Sequence, residues 1–229
     1  MNLCHFCSRQ MKRAISLRFI FSFQKVVEHA ICETCKNKFK PIDPTQVCPG
    51  CSREQLEGKI CVDCEKWQAR YPKLKLNHSA LFQYNEIARE FMNNYKFKGD
   101  IKLAEVFGQP LHQALAPYVK SHLITAIPAS QSSYEKRGFH AVELLLDYAQ
   151  IPHVPVLEHR FDTGLQSSKN REERLKSAQP FVLKEEEYLI NQKKPLLIVD
   201  DVYTTGRTIL HARNIAKNTV PTESMTLFR

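Results

Sequence analysis

Four consecutive apolar residues, Leu196-Leu197-Ile198-Val199, follow Pro195 and stop at Asp200-Asp201. A run this short and unbroken predicts a central strand of a parallel sheet, buried on both faces. Just beyond it, Ile209, Ala212, Ile215 and Ala216 recur at helical spacing, so the strand leads into a helix. Upstream, His122–Ile127 reads as a strand that Pro128 stops, and Tyr134–Phe139 as a loop before a helix ending at Ala149. Helical spacing also covers Ile87–Tyr95 and Ile101–Leu115. Strands alternating with helices predict an α/β domain. Near the start the period changes. Ile15, Leu17, Phe19, Phe21 and Phe23 alternate with mainly polar positions, the pattern of a strand with one buried face.

The chain has 229 residues, 43% of them hydrophobic, enough for an ordinary globular core. No run approaches the ~18 apolar residues of a membrane span. The segment Ile15–Phe23 is interrupted by Arg18 and has no cleavage site of small residues after it, so a signal peptide is rejected and a cytosolic, soluble protein is expected. Charge is divided unevenly. Residues 1–75 hold 14 Lys+Arg against 7 Asp+Glu, most of the formal net charge of +9. All eight cysteines lie between Cys4 and Cys64. Composition thus predicts two units, 1–75 and 76–229, divided near Tyr71-Pro72.

The cysteines form four Cys-x-x-Cys pairs: Cys4/Cys7, Cys32/Cys35, Cys48/Cys51 and Cys61/Cys64. Two thiolates separated by two residues bind one metal from a single turn, and two such turns complete a tetrahedral Cys4 zinc site. Four pairs make two closed, structural zinc sites. Disulfides would require an oxidising compartment, a thioredoxin-like pair accounts for one Cys-x-x-Cys but not four, and the spacing matches neither common ferredoxin pattern. Sequential pairing and an interleaved arrangement are both geometrically open. A strand bounded by metal knuckles is the pattern of a zinc ribbon. So short a unit buries little core, and metal binding would supply much of its folding free energy. Lys36, Lys38 and Lys40 around Phe39 would suit a phosphate backbone or simply a solvated edge.

The other chemistry-bearing stretch is Asp200-Asp201 followed by Thr204-Thr205-Gly206-Arg207-Thr208 and a helix. Ligands of open α/β sheets bind at the carboxyl ends of strands. A Thr/Gly turn and the helix start beyond it offer N–H and hydroxyl donors to an anion. The two carboxylates accept hydrogen bonds from sugar hydroxyls or hold Mg2+. This order of elements resembles the 5-phosphoribosyl-1-pyrophosphate (PRPP) signature of type I phosphoribosyltransferases. The resemblance implies a parallel sheet flanked by helices, ribose held by Asp200 and Asp201, and a 5′-phosphate wrapped by Thr204, Thr205, Gly206, Arg207 and Thr208. Lys136 and Arg137 would suit the pyrophosphate end or lie on the surface. Lys169, Arg171 and Arg174, within the polar stretch Gln166–Arg174, would belong to a closing loop or to a charged helix face.

Taken together, the paired knuckles, Lys96-Phe-Lys-Gly-Asp100, Arg137-Gly138-Phe139, Gln166–Arg174 and the PRPP-like loop, in that order, resemble the ComF family of competence proteins. One departure is His140, where the family has Asn. The resemblance implies a cytoplasmic part in natural transformation, assisting import of single-stranded DNA beside a ComFA-type ATPase and lying against the membrane only through partners. Two other functions stand beside it. One is phosphoribosyl transfer from PRPP with Mg2+ to a base, for which Tyr203 would stack on the ring. The other is a scaffold with a vestigial site.

Overall fold

The computed structural model describes residues 3–11, 30–55, 58–159 and 179–229. The alternating strand expected at Ile15–Phe23 and the polar stretch Gln166–Arg174 lie outside the described residues. The rest is an α/β fold on a four-stranded parallel sheet: β1 (His78–Phe82), β2 (Leu123–Ala126), β5 (Leu196–Val202) and β6 (Thr222–Phe228), in the order β1-β6-β5-β2. A second, two-stranded antiparallel sheet joins β3 (Leu157–His159) to β4 (Phe181–Leu183). Beside these run the helices α1 (Glu33–Lys36), α2 (Val62–Arg70), α3 (Glu86–Lys96), α4 (Gly108–Leu115), α5 (Gln131–Arg137), α6 (Ala141–Tyr148), α7 (Glu186–Gln192) and α8 (Arg207–Ala216).

The unbroken apolar run is central, as its pattern predicts. Leu196 to Val199 are each no more than 2% exposed. Leu197 and Val199 join the core beneath α3, α4 and α6, whereas Leu196 and Ile198 join a second core beneath α8 and the small sheet. Alternate side chains of a strand point to opposite faces, so both faces are covered.

The cysteine-bearing segment packs into both cores. Phe39 inserts among Phe91, Phe107 and Phe228, its ring centroid 5.0 Å from that of Phe107. Pro41 bridges to Phe82, and Ile42 donates to the Leu81 carbonyl at 3.0 Å, so this segment covers the outer edge of β1. Arg213 of α8 is 1% exposed and reaches across to donate to the carbonyls of Asn77, Lys75 and Thr222. Burial lowers its pKa to about 10. The guanidinium fork thereby fastens the strand-entry segment 75–77 to the end of the sheet.

Two elements differ from their periodicity. Ile101–Phe107 is a 3-10 helix, and the α-helix begins anew at Gly108. Pro110 has no N–H to donate to a preceding turn, so it is accommodated only in the first turn of a fresh helix. Tyr134–Arg137 is likewise helix rather than loop: the Ser130 hydroxyl caps α5 by accepting from Ser133 N–H at 3.3 Å, and Gly138 ends it in the left-handed conformation. His140 stands at the N-cap of α6 without capping it, and its ring stacks on Tyr134 at 4.6 Å instead. Among the described residues no helix is long and apolar enough to cross a membrane.

Candidate functional site

The carboxyl ends of β5 and β2 open into a cleft of about 680 Å³, within the size range of small-ligand sites. Asp200, Asp201, Thr204, Arg207 and Thr208 line it from β5, its loop and the start of α8. Arg137 reaches it from the end of α5, and Lys96 from the end of α3. Ser130 and Ser133 line the β2 side, and His159, Phe181 and His211 the opposite wall. Lys136 is exposed on α5 and does not line the cleft. Thr205 and Gly206 shape the loop rather than the cleft wall. Lys169, Arg171 and Arg174 lie outside the described residues.

Gly206 caps α8 with φ of +79°. A Cβ there would meet the Tyr203 hydroxyl at 2.1 Å. That hydroxyl has no room to retreat, because Tyr203 is 4% exposed, rests on His78 at 4.3 Å and is covered by the Arg229 guanidinium at 4.8 Å. Tyr203 thus packs behind the loop and is not placed to stack on a ligand ring. Gly206 is required twice over, for its left-handed backbone and for this close approach. With glycine as cap, the cap residue itself offers no side chain to the first-turn N–H groups of α8, although the Thr205 hydroxyl accepts from the Arg207 N–H at 3.5 Å.

Charge in the cleft is arranged in opposition. Asp201 is buried and pairs with the Lys96 ammonium. Asp200 accepts from the Asp201 N–H at 2.9 Å. Burial, and then the neighbouring Asp201 charge, push the Asp200 carboxyl up to about 7, against the pull of Lys96. Burial and the nearby Arg207 hold His211 down, to about 4, so its imidazole is neutral near pH 7. Lys96 was legible in the sequence as part of a motif but carried no assigned role. Its partner is 105 residues away, and only the fold joins them.

The cysteines gather into two groups, Cys4/Cys7/Cys32/Cys35 and Cys48/Cys51/Cys61/Cys64, each with all sulfurs within 4.8 Å of one another. The pairing is therefore sequential. Cys7 and Cys32 sulfurs are 3.8 Å apart, and those of Cys48/Cys64 and Cys51/Cys61 are each 3.7 Å apart. A disulfide would need ~2.05 Å, whereas a tetrahedron with ~2.3 Å metal–sulfur bonds has edges of about 3.8 Å. Backbone N–H groups point at the sulfurs, from Cys32 to Cys4 and from Cys61 to Cys48, each at 3.3 Å. Burial raises the Cys4 thiol, but the N–H groups of Cys32, Cys7 and Phe6 outweigh it and bring the thiol down to about 6. A sulfur-only set of this size fits zinc, closed and structural. The second group is fully buried within the core beneath α8, whereas Cys7 of the first is exposed.

The fold and the site define a class: a parallel α/β protein with an acidic-pair, Thr/Gly-loop cleft and two Cys4 metal knuckles. No protein-family model matches the chain. It is similar to Competence protein ComFC of Streptococcus pneumoniae, 33% identical over 212 residues that span 93% of this chain and 92% of the relative. It is similar also to Competence protein ComFC of Bacillus subtilis, 30% identical over 213 residues, 90% of this chain and 85% of the relative. The chain belongs to the ComFC family of competence proteins.

Proposed function

We propose that this protein serves competence by binding phosphate-rich ligands, PRPP and single-stranded DNA, in the cleft above β5, with a ComFA-type ATPase as its partner. The observation that carries the reading is convergence. Asp200 and Asp201, the loop residues Thr204, Arg207 and Thr208, Lys96 and Arg137 come from separate parts of the chain and line one cleft. The loop and α8 present donors to a phosphate, the carboxylates accept from ribose hydroxyls, and Arg137 faces the pyrophosphate side. Mg2+, when bound with PRPP, would neutralise pyrophosphate charge beside Asp200. The formal net charge of +9 supports attraction of a polyanion.

Calorimetry with PRPP and Mg2+ tests the small-ligand half. Asp200 accepts most strongly as a carboxylate, free to take two hydroxyl hydrogen bonds at once, and its carboxyl titrates near 7. Ionisation is about one-tenth complete at pH 6 and about nine-tenths at pH 8, so affinity should rise roughly tenfold between them. The same raised pKa means that folded protein holds a proton the unfolded chain has released, so the ligand-free protein loses stability as pH climbs from about 4 through 7. Asp200→Asn should weaken PRPP binding at least about tenfold and abolish the pH dependence. Absence of PRPP binding at any pH would overturn this half.

Binding of a single-stranded oligonucleotide should weaken steeply between 50 and 200 mM salt, as counterions compete for phosphate. No binding at low salt to either the oligonucleotide or the ATPase would overturn the competence half. One observation keeps phosphoribosyl transfer as a second reading: His159 and Phe181, in edge-to-face ring contact, line the same cleft as the acidic pair and offer aromatic surface to an acceptor ring. Pyrophosphate release from PRPP across a panel of bases, lost in Asp200→Asn, would favour it.

A further inference from the structure

The Thr/Gly loop is held from behind by Arg229, just beyond β6, and by Trp67 of the segment that carries the second cysteine group. Arg229 Nη1 donates to the Tyr203 and Thr204 carbonyls, both at 3.2 Å. The same guanidinium turns its Nε to the Cys51 carbonyl at 3.1 Å and its Nη2 to the Cys51 sulfur at 3.4 Å. Trp67 donates its indole N–H to the Thr205 carbonyl at 2.8 Å. Trp67 sits on α2, one turn beyond the ligand Cys64. Three consecutive carbonyls, 203 to 205, are thus anchored to two side chains tied to one Cys4 cluster, Arg229 through Cys51 and Trp67 through the helix it shares with Cys64.

In a planar trans peptide the C=O and the following N–H point in opposite directions. Holding the carbonyls of Tyr203, Thr204 and Thr205 on the cluster side turns the N–H groups of Thr204, Thr205 and Gly206 to the other side of the loop. That side carries the cleft-lining residues Thr204, Arg207 and Thr208. We propose that Arg229 and Trp67 are positioning residues, through which the second Cys4 metal site fixes the aim of the phosphate-binding loop. The metal then has a task besides stabilising its own knuckle: it preorganises donors for an anion in a cleft on the far side of the loop. This rests on the reading of that loop as a phosphate site, but the strut itself has its own observable.

The test uses the full-length, zinc-loaded protein with Arg229→Gln, Arg229→Lys and Trp67→Phe, together with wild type stripped of zinc. Zinc per chain, amide hydrogen exchange over residues 203–208 and affinity for PRPP with Mg2+ are measured on each. Arg229→Gln should keep both metals, speed exchange of the loop amides about tenfold or more, and weaken PRPP about 10- to 100-fold. Trp67→Phe, which loses one hydrogen bond and touches no sulfur, should do the same to a smaller extent. Zinc removal from wild type should reproduce the faster loop exchange. If Arg229→Gln loses metal or fails to fold, Trp67→Phe decides. Loop exchange at the wild-type rate in Trp67→Phe, or unchanged by loss of zinc, overturns the proposal. Faster loop exchange in these variants, in a protein that binds no PRPP, upholds the strut and removes only the PRPP reading.

Discussion

Lys96→Met is expected to cost about 3–5 kcal/mol of stability at pH 8 and distinctly less at pH 5. The Lys96 side chain is largely buried against Asp201, which is itself almost fully buried, with Asp200 beside it. Methionine keeps the apolar stem but removes the cation that pulls the Asp200 carboxyl down, leaving two adjacent carboxyls in a low-dielectric cleft. The Asp200 pKa then rises further. Folded protein must retain on Asp200 a proton that the unfolded chain releases above about 4, so the loss grows with pH. Urea unfolding at the two pH values measures it. The double variant Lys96→Met/Asp201→Asn should recover most of the stability at pH 8, because the uncompensated charge is gone. Equal losses at both pH values, or no recovery in the double variant, would show that charge opposition between Lys96 and the acidic pair is not what stabilises this end of the sheet.

The contrast between Lys96 and Asp200 shows what the sequence could disclose. Asp200, Asp201, Thr204, Arg207 and Thr208 occupy one contiguous strand, loop and helix start, so their order along the chain already describes their geometry. The unbroken run Leu196–Val199 told in addition that the strand is central. The cysteine pairs were equally local, and their grouping into two sites followed, although spacing left the pairing open until the sulfurs were seen together. Lys96 and Ser130 reach the cleft only through the order β1-β6-β5-β2, which no local pattern encodes, whereas His211 follows Arg207 and Thr208 by one turn of α8. Arg229 and Trp67 were beyond reach for the same reason: their partners lie 25 to 178 residues away. Where local readings went astray, the correcting signal was present but outweighed. Pro110 interrupts a helical period, and Ser130 and Gly138 bracket a short helix that its polar composition concealed. The abrupt end of cysteine usage at Cys64 gave no hint that Phe39 would sit among the aromatic rings of the sheet.

Cys48→Ser is expected to abolish cooperative folding of the core beneath α8, and not merely to loosen a peripheral knuckle. Cys48 is fully buried, and its group packs with Ile127, Leu196 and Ile198 in that core. Structural zinc contributes about 10–16 kcal/mol of apparent binding energy in small knuckle peptides at neutral pH, as much as the ~5–15 kcal/mol that separates a whole domain from its unfolded state. Losing one ligand also leaves three crowded thiols. The Cys51 thiol is pushed down to about 4, chiefly by its hydrogen bond with Cys64, so negative charge would remain in the core without the dication that balances it. Cys7→Ser should behave differently, since Cys7 is exposed and its group lies at the outer end of the aromatic cluster. A chelator should accordingly remove zinc in two steps, the accessible first site quickly and the enclosed second site at the rate of core opening. Metal release followed by a colorimetric indicator, beside calorimetric unfolding of both variants, separates the two sites. A Cys48→Ser protein that still unfolds in one sharp transition within a few degrees of wild type would mean that the apolar contacts of Leu196 and Ile198 hold this core without metal. In that case the second site would be an attachment to the fold, and a loop aimed from it would have no firm base.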